Sequence, residues 1–437
     1  MDARETALCA LIACRKEGAW SNGALKSLIS REKLDRREAA LATRLCYGVV
    51  QNRLLLDFYL RQLLTLRIKA LHPVVHDVLQ LGLYQIFLMD KIPPNAAVNE
   101  SVALAKKYCK SNPSAAGLVN AVLRNALRNA HTLNKPNSWV EKYSHPQPLV
   151  DMLADYVGKN RMENMLIANN AAPDTVIQVN TLAITAQQLQ QQLLDDGINV
   201  REHAWMPDCL VLSNTGNLEH INAFEQGLFY VQDAAAKLSV MCARLTGAQR
   251  VLDCCAAPGG KSFAAAIAMQ GHGSIISCDI HAHKVSLIEN GAGRLGISSI
   301  TAMQHDASVC NREWLGKMDT VIADVPCSGY GIIRKKPDIR YKDPETMRRL
   351  EPLQLQILRN QSQYVKPGGV LMYSTCTLVR GENEGVVESF LQNDSQFYLE
   401  ALQLPAVFPK NESGMLTLVP GEYDTDGFFI CRLRRKV

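Results

Sequence analysis

The fold is decided by the stretch Arg250-Val251-Leu252-Asp253-Cys254-Cys255-Ala256-Ala257-Pro258-Gly259-Gly260-Lys261-Ser262. Its apolar beginning predicts a strand over Arg250–Cys254, and the run from Ser262 to Met269 predicts a helix. Between them, glycines and alanines let the backbone approach a ligand closely, and the free N–H groups at a helix start favour a negative or polar group. The stretch therefore predicts a strand, a ligand-binding loop and a helix.

The C-terminal half continues as an alternation of strand-like and helical patterns, which predicts an α/β fold with a mostly parallel sheet covered by helices on both faces. In such sheets the ligand lies beyond the carboxyl ends of the strands, where the strand order reverses. We therefore look for chemistry in the residues that follow each strand. The further predicted strands are Ser274–Asp279, Ile300–Gln304, Thr320–Ala323, Val370–Ser374 and Gly427–Leu433.

Acidic residues at two strand ends indicate a nucleoside cofactor. Asp279 stands 20 residues after Gly259, a spacing at which a carboxylate can accept the hydroxyls of a ribose. Asp306 follows the next strand. The loop is neither G-x-G-x-x-G nor a Walker sequence, which disfavours nicotinamide and ATP. An ordinary tight turn is the alternative, and the two aspartates weigh against it.

Two cysteines follow two other predicted strands. Cys327 lies in Asp324-Val325-Pro326-Cys327-Ser328, and Cys376 lies in Ser374-Thr375-Cys376-Thr377. A thiolate is a strong nucleophile, so the pair predicts covalent catalysis. Each cysteine alone is more often a buried core residue. Their residue types do not decide which would be the nucleophile, and no histidine at a comparable strand end supports a cysteine protease.

The basic charge of the chain is confined to its N-terminal third. Residues 1–140 contain 20 Lys and Arg against 10 Asp and Glu, whereas the remainder contains 27 against 32. Apolar residues recur at helical spacing from Glu5 to about Ala130, which predicts an all-α domain. Such asymmetry favours a module that binds a polyanion, although an evenly solvated basic surface stays possible.

Three domains are predicted: an all-α domain at 1–140, a small α+β subdomain at 145–230 and a catalytic domain at 231–437. The polar, proline-containing stretch His131–Pro148 is interpreted as a linker. The subdomain has predicted strands at Val176–Leu182 and Cys209–Ser213 and a helix at Thr185–Asp196.

Composition excludes other classes of protein. The apolar run Val78–Met89 is interrupted by polar residues and is too short to span a bilayer. The chain has 13 cysteines but no C-x-x-C spacing, which disfavours a metal site. We expect a cytoplasmic, monomeric protein with neither a membrane nor a metal partner.

The motifs together resemble one family, the RNA cytosine-5 methyltransferases. The N-terminal third resembles the NusB-type helical RNA-binding domain through 96–102 and 117–124, and the pairing of domains is similar to that of bacterial enzymes acting on 16S ribosomal RNA. The motifs of the methyltransferase family lie at 253–261, 324–331, 334–338, 373–377, 382–384 and 425–429.

This resemblance implies a Rossmann-like domain that uses S-adenosylmethionine to methylate small-subunit ribosomal RNA. It implies that Cys376 attacks the cytosine, that Cys327 assists release, and that Asp324 stabilises the developing charge. Asp324, Asp279 and Asp306 would contact the cofactor together with the loop residues Cys255, Ala256, Ala257, Pro258, Gly259, Gly260 and Lys261. RNA phosphates would be met by Arg334, Lys335, Lys336 and Arg340.

Two departures from the family pattern and two rival functions stay open. Val325 replaces a frequent alanine, and Gln178 replaces a frequent arginine, which puts one RNA phosphate contact in doubt. A non-catalytic RNA-binding or antitermination factor is one rival, disfavoured by the two cysteines and the cofactor aspartates. A transfer-RNA enzyme of the same fold is the other, disfavoured by the NusB-like domain.

Overall fold

The computed structural model describes residues 1–17, 19–213, 215–347 and 349–437. It divides the chain into two compact units. Unit 1 comprises Met1–Met152 and Lys335–Lys342, and unit 2 comprises Leu153–Arg334 and Asp343–Val437.

Unit 1 is helical, which confirms the all-α prediction. Its helices begin where local chemistry favours a start: the Asp35 side chain accepts the backbone N–H of Glu38 at one N-terminus, and Pro73 and Pro94 occupy first helical positions at two others. The helices are α1 Ala3–Glu17, α2 Ser21–Glu32, α3 Arg36–Gln51, α4 Arg53–Leu63, α5 Pro73–Leu88, α6 Pro94–Tyr108, α7 Ala115–Asn129, α8 Trp139–Lys142 and α9 Gln147–Val157, in which the division between the units falls.

The stretch interpreted as a linker is packed instead. It contains α8 and the start of α9, and within it Ser144 and His145 are fully buried. Ser144 accepts the backbone N–H of Leu54. The prolines and polar residues of this stretch indicated a loop, but they lie at the end of α8 and the start of α9.

Unit 2 opens with a small antiparallel sheet of strand order β2-β3-β1-β4. The predicted α+β character is confirmed, and the predicted helix begins at a capping box formed by Thr185 and Gln188. The elements are α10 Lys159–Asn170, β1 Thr175–Val179, α11 Ala186–Asp195, β2 Asn199–Glu202, β3 Cys209–Ser213, α12 Asn222–Glu225 and β4 Phe229–Val231.

The large sheet of unit 2 has the order β10-β12-β9-β8-β5-β6-β7, with β11 paired to β12. The pairs among β5 to β9 are parallel and those of β12 are antiparallel. The elements are α13 Ala234–Ala243, β5 Arg250–Asp253, α14 Gly260–Ala268, β6 Ser274–Asp279, α15 Ala282–Arg294, β7 Ile300–Gln304, β8 Met318–Asp324, α16 Pro344–Met347, α17 Leu350–Ser362, β9 Val365–Thr375, a π-helical turn at Gly381–Gly385, α18 Val386–Asn393, β10 Phe397–Leu399, β11 Met415–Leu418 and β12 Phe428–Arg435.

Helices cover both faces of this sheet, as predicted. Val251 packs with Phe263 of α14 on one face, whereas the next residue, Leu252, packs with Leu358 of α17 on the other. The strand order reverses between β5 and β8, which places the predicted ligand edge at the ends of these two strands.

Strand β9 is longer than predicted. The predicted strand begins at Val370, but the observed strand begins at Val365 and passes through Pro367-Gly368-Gly369 with a register irregularity against β8. Gly368 adopts a φ of 74°, which a residue without a β-carbon tolerates. The motif therefore makes a bulge within the strand.

No helix in the described part of the chain combines the length and the apolar character that crossing a bilayer requires.

Candidate active site

The loop after β5 is anchored from below by a buried carboxylate. Asp253 is fully buried, and its Oδ2 accepts the Ser262 hydroxyl at 2.7 Å. The Ser277 hydroxyl of β6 donates to the same serine at 2.7 Å. Burial raises the pKa of Asp253 to about 7. This chain of bonds holds the loop and the start of α14 against the neighbouring strand.

The two aspartates predicted to bind a cofactor lie at adjacent strand ends. Asp279 is nearly buried, and its Oδ1 accepts the backbone N–H of His281 at 3.0 Å. The N–H of His305, next to Asp306, donates to the carbonyl of Asp279 at 3.1 Å. Asp306 accepts both the N–H and the hydroxyl of Ser308, which lower its pKa. The structure thus brings both carboxylates to one edge of the sheet.

An ion pair joins the β5 loop to the end of β8. The Lys261 ammonium lies 2.6 Å from Oδ2 of Asp324, and the Ser374 hydroxyl donates to Oδ1 at 2.7 Å. Burial alone would lower the pKa of Lys261, but the charge of Asp324 raises it above its ordinary value. The lysine therefore stays cationic and fixes the orientation of the carboxylate.

The two predicted catalytic cysteines come together beside this ion pair. Cys327 follows β8, Cys376 follows the neighbouring parallel strand β9, and their sulfur atoms are 3.2 Å apart. Both side chains are partly accessible. The hydrogen bond with Cys376, followed by burial, raises the pKa of Cys327 well above its ordinary value. Cys327 is therefore a protonated thiol that can donate to its neighbour.

Two glycines bring backbone segments together under the cysteines. The N–H of Gly331 donates to the carbonyl of Cys376 at 3.0 Å, and the N–H of Gly427 donates to the carbonyl of Gly331 at 2.8 Å. A β-carbon on Gly331 would lie 2.0 Å from the carbonyl oxygen of Gly427. Only glycine permits this approach, which fixes the loop carrying Cys327 against the start of β12.

Comparisons with known proteins identify the family of this chain. A family model described as 16S rRNA methyltransferase RsmB/F matches residues 240–434, a NusB family model matches 1–128, and a ferredoxin-like domain model of RsmF/B-like methyltransferases matches 145–219. A probable ribosomal RNA small subunit methyltransferase B from Bacillus subtilis is 36% identical over 99% of this chain and 98% of its own length. The chain belongs to the RsmB/F family of 16S ribosomal RNA methyltransferases.

Solved structures give the same fold as this RsmB/F chain. The crystal structure of PH0851 matches with a TM-score of 0.83 at 22% identity, covering 100% of this chain and 99% of that one. NSun6 from Pyrococcus horikoshii, solved with SFG, matches with a TM-score of 0.59 at 20% identity, covering 66% and 98%. The predicted family and fold class are confirmed.

The RNA-contact prediction for Arg340 is wrong for this RsmB/F chain. Its side chain is fully buried within unit 1, where Nη1 donates to the carbonyls of Gln51, Tyr143 and Ser144 at 2.9, 3.4 and 3.3 Å. Burial lowers its pKa to about 10. A guanidinium enclosed by backbone carbonyls has no access to phosphate.

The other basic residues of this motif differ in exposure. Arg334 forms a largely buried ion pair with Asp426 at 3.3 Å. Lys335 is half-buried, and Lys336 is exposed. Contacts of these three side chains with RNA stay predictions.

Gln178 occupies a structural position in β1. It is fully buried, and its Nε2 donates to the carbonyl of Gln232 at 2.9 Å. The nearby Asn180 donates to the carbonyls of Gly227 and Leu295, both at 2.9 Å, and so ties the small sheet to the catalytic fold. A side chain enclosed in this way does not reach RNA.

Several residues of this site were missed by sequence reasoning. Asp253 was read only as part of a motif, and Ser374 only as a neighbour of Cys376. Glu382 and Asn383 belong to the motif at 382–384, for which the sequence indicates no role, yet both are buried. Acidic and amide side chains inside an otherwise apolar pattern were the available signal.

Proposed function

We propose that this protein transfers a methyl group from S-adenosylmethionine to carbon 5 of a cytosine in small-subunit ribosomal RNA, with Cys376 as the covalent nucleophile. The observation that carries the proposal is the pair of thiols, 3.2 Å apart at neighbouring strand ends. Membership of the RsmB/F family supports the RNA substrate.

The loop residues fit the cofactor. Gly259 adopts a φ of 115°, and a β-carbon there would lie 2.3 Å from the Phe263 ring. A β-carbon on Gly260 would lie 2.9 Å from the Gln232 side chain. These glycines let the backbone at the head of α14 pack this closely, and the N–H groups of a helix start suit a polar ligand.

The acidic residues suit the same cofactor. Asp279 and Asp306 would accept hydrogen bonds from its ribose and base, and the loop from Cys255 to Lys261 would line its amino-acid part. Asp324 would contact the cofactor or the cytosine. When bound, S-adenosylmethionine supplies an electrophilic methyl group.

Cytosine needs activation because its carbon 5 is a weak nucleophile. The thiolate of Cys376 adds to carbon 6, and the electron pair of the ring double bond moves to carbon 5, which then accepts the methyl group. Asp324, held by Lys261 and Ser374, would accept a hydrogen bond from the amino group, and a bond to nitrogen 3 would need a shared proton, which would offset the negative charge that develops on the ring.

Release of the product requires loss of the carbon 5 proton. When Cys327 as thiolate takes that proton, its bonding pair re-forms the carbon 5–carbon 6 double bond, the carbon 6–sulfur bond breaks, and Cys376 leaves as a thiolate. In the free enzyme Cys327 is protonated, because its bond with Cys376 and its burial raise its pKa. Once Cys376 is bonded to carbon 6 it is a thioether, so the bond that contributes most to the raised pKa of Cys327 is absent from the adduct.

The target base must be accessible to both sulfurs. Carbon 5 and carbon 6 of a cytosine stacked inside a duplex are out of reach, so the substrate is an unstacked or flipped nucleotide.

Transfer of labelled methyl groups tests this function. The full-length protein, incubated with unmodified 16S ribosomal RNA and methyl-tritiated S-adenosylmethionine, should give 5-methylcytosine in the digested RNA. Label in another nucleoside, in transfer RNA alone, or in no RNA would refute the proposal.

A further inference from the structure

Two buried polar side chains lie beneath the cysteines and have no part in the chemistry proposed above. Glu382 and Asn383 are consecutive residues of the π-helical turn Gly381–Gly385, and both are at most 1% exposed. Buried polar groups are costly unless they are fully bonded, so their partners indicate what they do.

Glu382 holds the residues on both sides of Cys327. Its carboxylate accepts the N–H of Ser328 at 2.9 Å and the Ser328 hydroxyl at 2.5 Å. It also accepts the amide N–H of Gln354 at 2.8 Å, and the same amide donates to the carbonyl of Pro326 at 2.9 Å. One carboxylate therefore fixes the residue after Cys327 directly and the residue before it through Gln354.

Asn383 holds the residues on both sides of Cys376 in the same way. Its Oδ1 accepts the Thr375 hydroxyl at 2.6 Å, and its Nδ2 donates to the carbonyl of Thr377 at 3.1 Å. A further bond to the Tyr156 hydroxyl at 3.2 Å fixes the amide from behind.

We propose that Glu382 and Asn383 are positioning residues that act on different halves of the reaction, Glu382 by aligning Cys327 for release and Asn383 by aligning Cys376 for attack. This inference rests on the proposed function. The neighbouring positions in one rigid turn set the spacing of the two sulfurs.

Glu382 accepts from three N–H or O–H donors. Only a carboxylate accepts from all of these donors at once, and a glutamine would require the Ser328 hydroxyl to turn and accept instead. Burial raises the pKa of Glu382, while its bonds from Ser328 favour the charged form. Asn383 needs both an acceptor and a donor, which asparagine alone supplies at this length.

The two substitutions should therefore fail differently. A misplacement of about 1 Å can cost on the order of a hundredfold in rate. Glu382→Gln should slow release at least about tenfold while adduct formation changes less than about threefold. Asn383→Ala should slow adduct formation by at least about tenfold.

The test is a single-turnover reaction of the full-length protein with unmodified 16S ribosomal RNA and methyl-tritiated S-adenosylmethionine. Denaturing gels measure the covalent protein–RNA complex, and digestion measures released 5-methylcytosine. Cys327→Ala is the reference for a trapped complex. Glu388→Gln is the matched control, because Glu388 is exposed and pairs only with exposed Arg380 among the described contacts.

A second pair of variants guards against simple misfolding. Thr375→Ser keeps the hydroxyl that Asn383 accepts, whereas Thr375→Val removes it with little change of shape. The valine variant should lose adduct formation and the serine variant should keep it, while both still unfold in a cooperative thermal transition.

The outcomes separate the two proposals. If Cys327→Ala traps no complex, the covalent function fails, and the positioning roles fail with it. If Cys327→Ala traps RNA but Glu382→Gln and Asn383→Ala shift the ratio of complex to product equally, only the positioning inference is overturned. The inference would be supported if the covalent protein–RNA complex accumulated with Glu382→Gln and did not accumulate with Asn383→Ala.

Discussion

At the scale of single residues, the proposed chemistry depends on two thiols with different roles. Their sulfur atoms are 3.2 Å apart, and the pKa of Cys327 is raised by the bond with Cys376 and by burial. The proposed function assigns release to Cys327 and attack to Cys376.

Substitution of each cysteine should give an opposite defect. Cys376→Ala removes the nucleophile and should lower methyl transfer on the order of a thousandfold or more, with no covalent product. Cys327→Ala should still attack and methylate, and then accumulate on RNA as a complex that survives denaturing electrophoresis. The reverse result for the two variants would exchange the roles of the two cysteines.

In the wild type, the rate of product release should rise with pH, because Cys327 acts as a thiolate in that step.

Cofactor affinity should depend on Asp279. Its carboxylate would bond to ribose hydroxyls, a charge-assisted contact worth about 1.5–3 kcal/mol. Asp279→Ala should therefore weaken S-adenosylmethionine binding about ten- to a hundredfold. Calorimetry measures this, with the exposed Glu388→Ala as control. Equal affinity of the Asp279 variant and the wild type would remove Asp279 from the site.

The sequence predicted which candidate residues follow the strands, but not the residues that hold them in place. Cys327, Cys376 and Asp279 were found because each follows a predicted strand of a parallel sheet. The roles of the two cysteines came only from resemblance, since nothing in their residue type distinguishes them. Arg340 was misassigned because a positive charge in a basic motif does not reveal that three carbonyls, distant in sequence, enclose it.

At the scale of elements, the ends of β8, β9 and β12 are held together by close backbone contacts. Apolar runs predicted parts of all three strands, but not the irregularity at Pro367-Gly368-Gly369 in β9, because proline and glycine usually mark turns. The contact between Gly331 and Gly427 was equally hidden, because glycine has no side chain whose pattern could predict it.

Gly331→Ala should damage both stability and activity. Its β-carbon would meet the carbonyls of Gly427 and Cys376 at 2.0 and 2.8 Å, and backbone cannot move aside as a flexible side chain can. We expect a loss of about 1–3 kcal/mol in the free energy of unfolding. Adduct formation should fall as well, because the loops carrying the two cysteines separate.

Gly293→Ala provides the matched control for denaturant unfolding. Gly293 lies in α15 with nothing within 4 Å of an added β-carbon, so alanine there should stabilise by about 0.5–1 kcal/mol. If Gly331→Ala were equally harmless, the close approach would have no role in stability.

At the scale of the whole molecule, the basic charge belongs to the helical part of the chain. Residues 1–140 have an excess of ten positive charges over negative ones. If these charges neutralise RNA phosphates, binding releases counterions and weakens as salt rises. The charge balance predicted this from sequence, but it does not identify which side chains meet RNA.

Affinity of the full-length protein for 16S ribosomal RNA should fall steeply between low and moderate salt. Arg124 and Arg128 lie exposed on α7, and changing both to Gln should reduce the salt slope by up to about two. Filter binding over a potassium chloride series measures the slope. Arg380→Gln, in an exposed pair with Glu388, is the control. An RNA affinity that does not change with salt would mean that the basic residues form an ordinary solvated surface.

The segment Lys335–Lys342 limits how this chain could be recombined by evolution or by gene fusion. It is encoded inside the catalytic half, yet it completes unit 1, where Asp338 accepts from Ser21 and the Tyr341 hydroxyl donates to the carbonyl of Val50. A gene cut after residue 152 would deprive the first fragment of this peptide and leave Arg340 in the second without its carbonyl partners. The helical unit therefore cannot be exchanged alone. A replacement from a relative would need its own matching peptide, inserted roughly two hundred residues downstream.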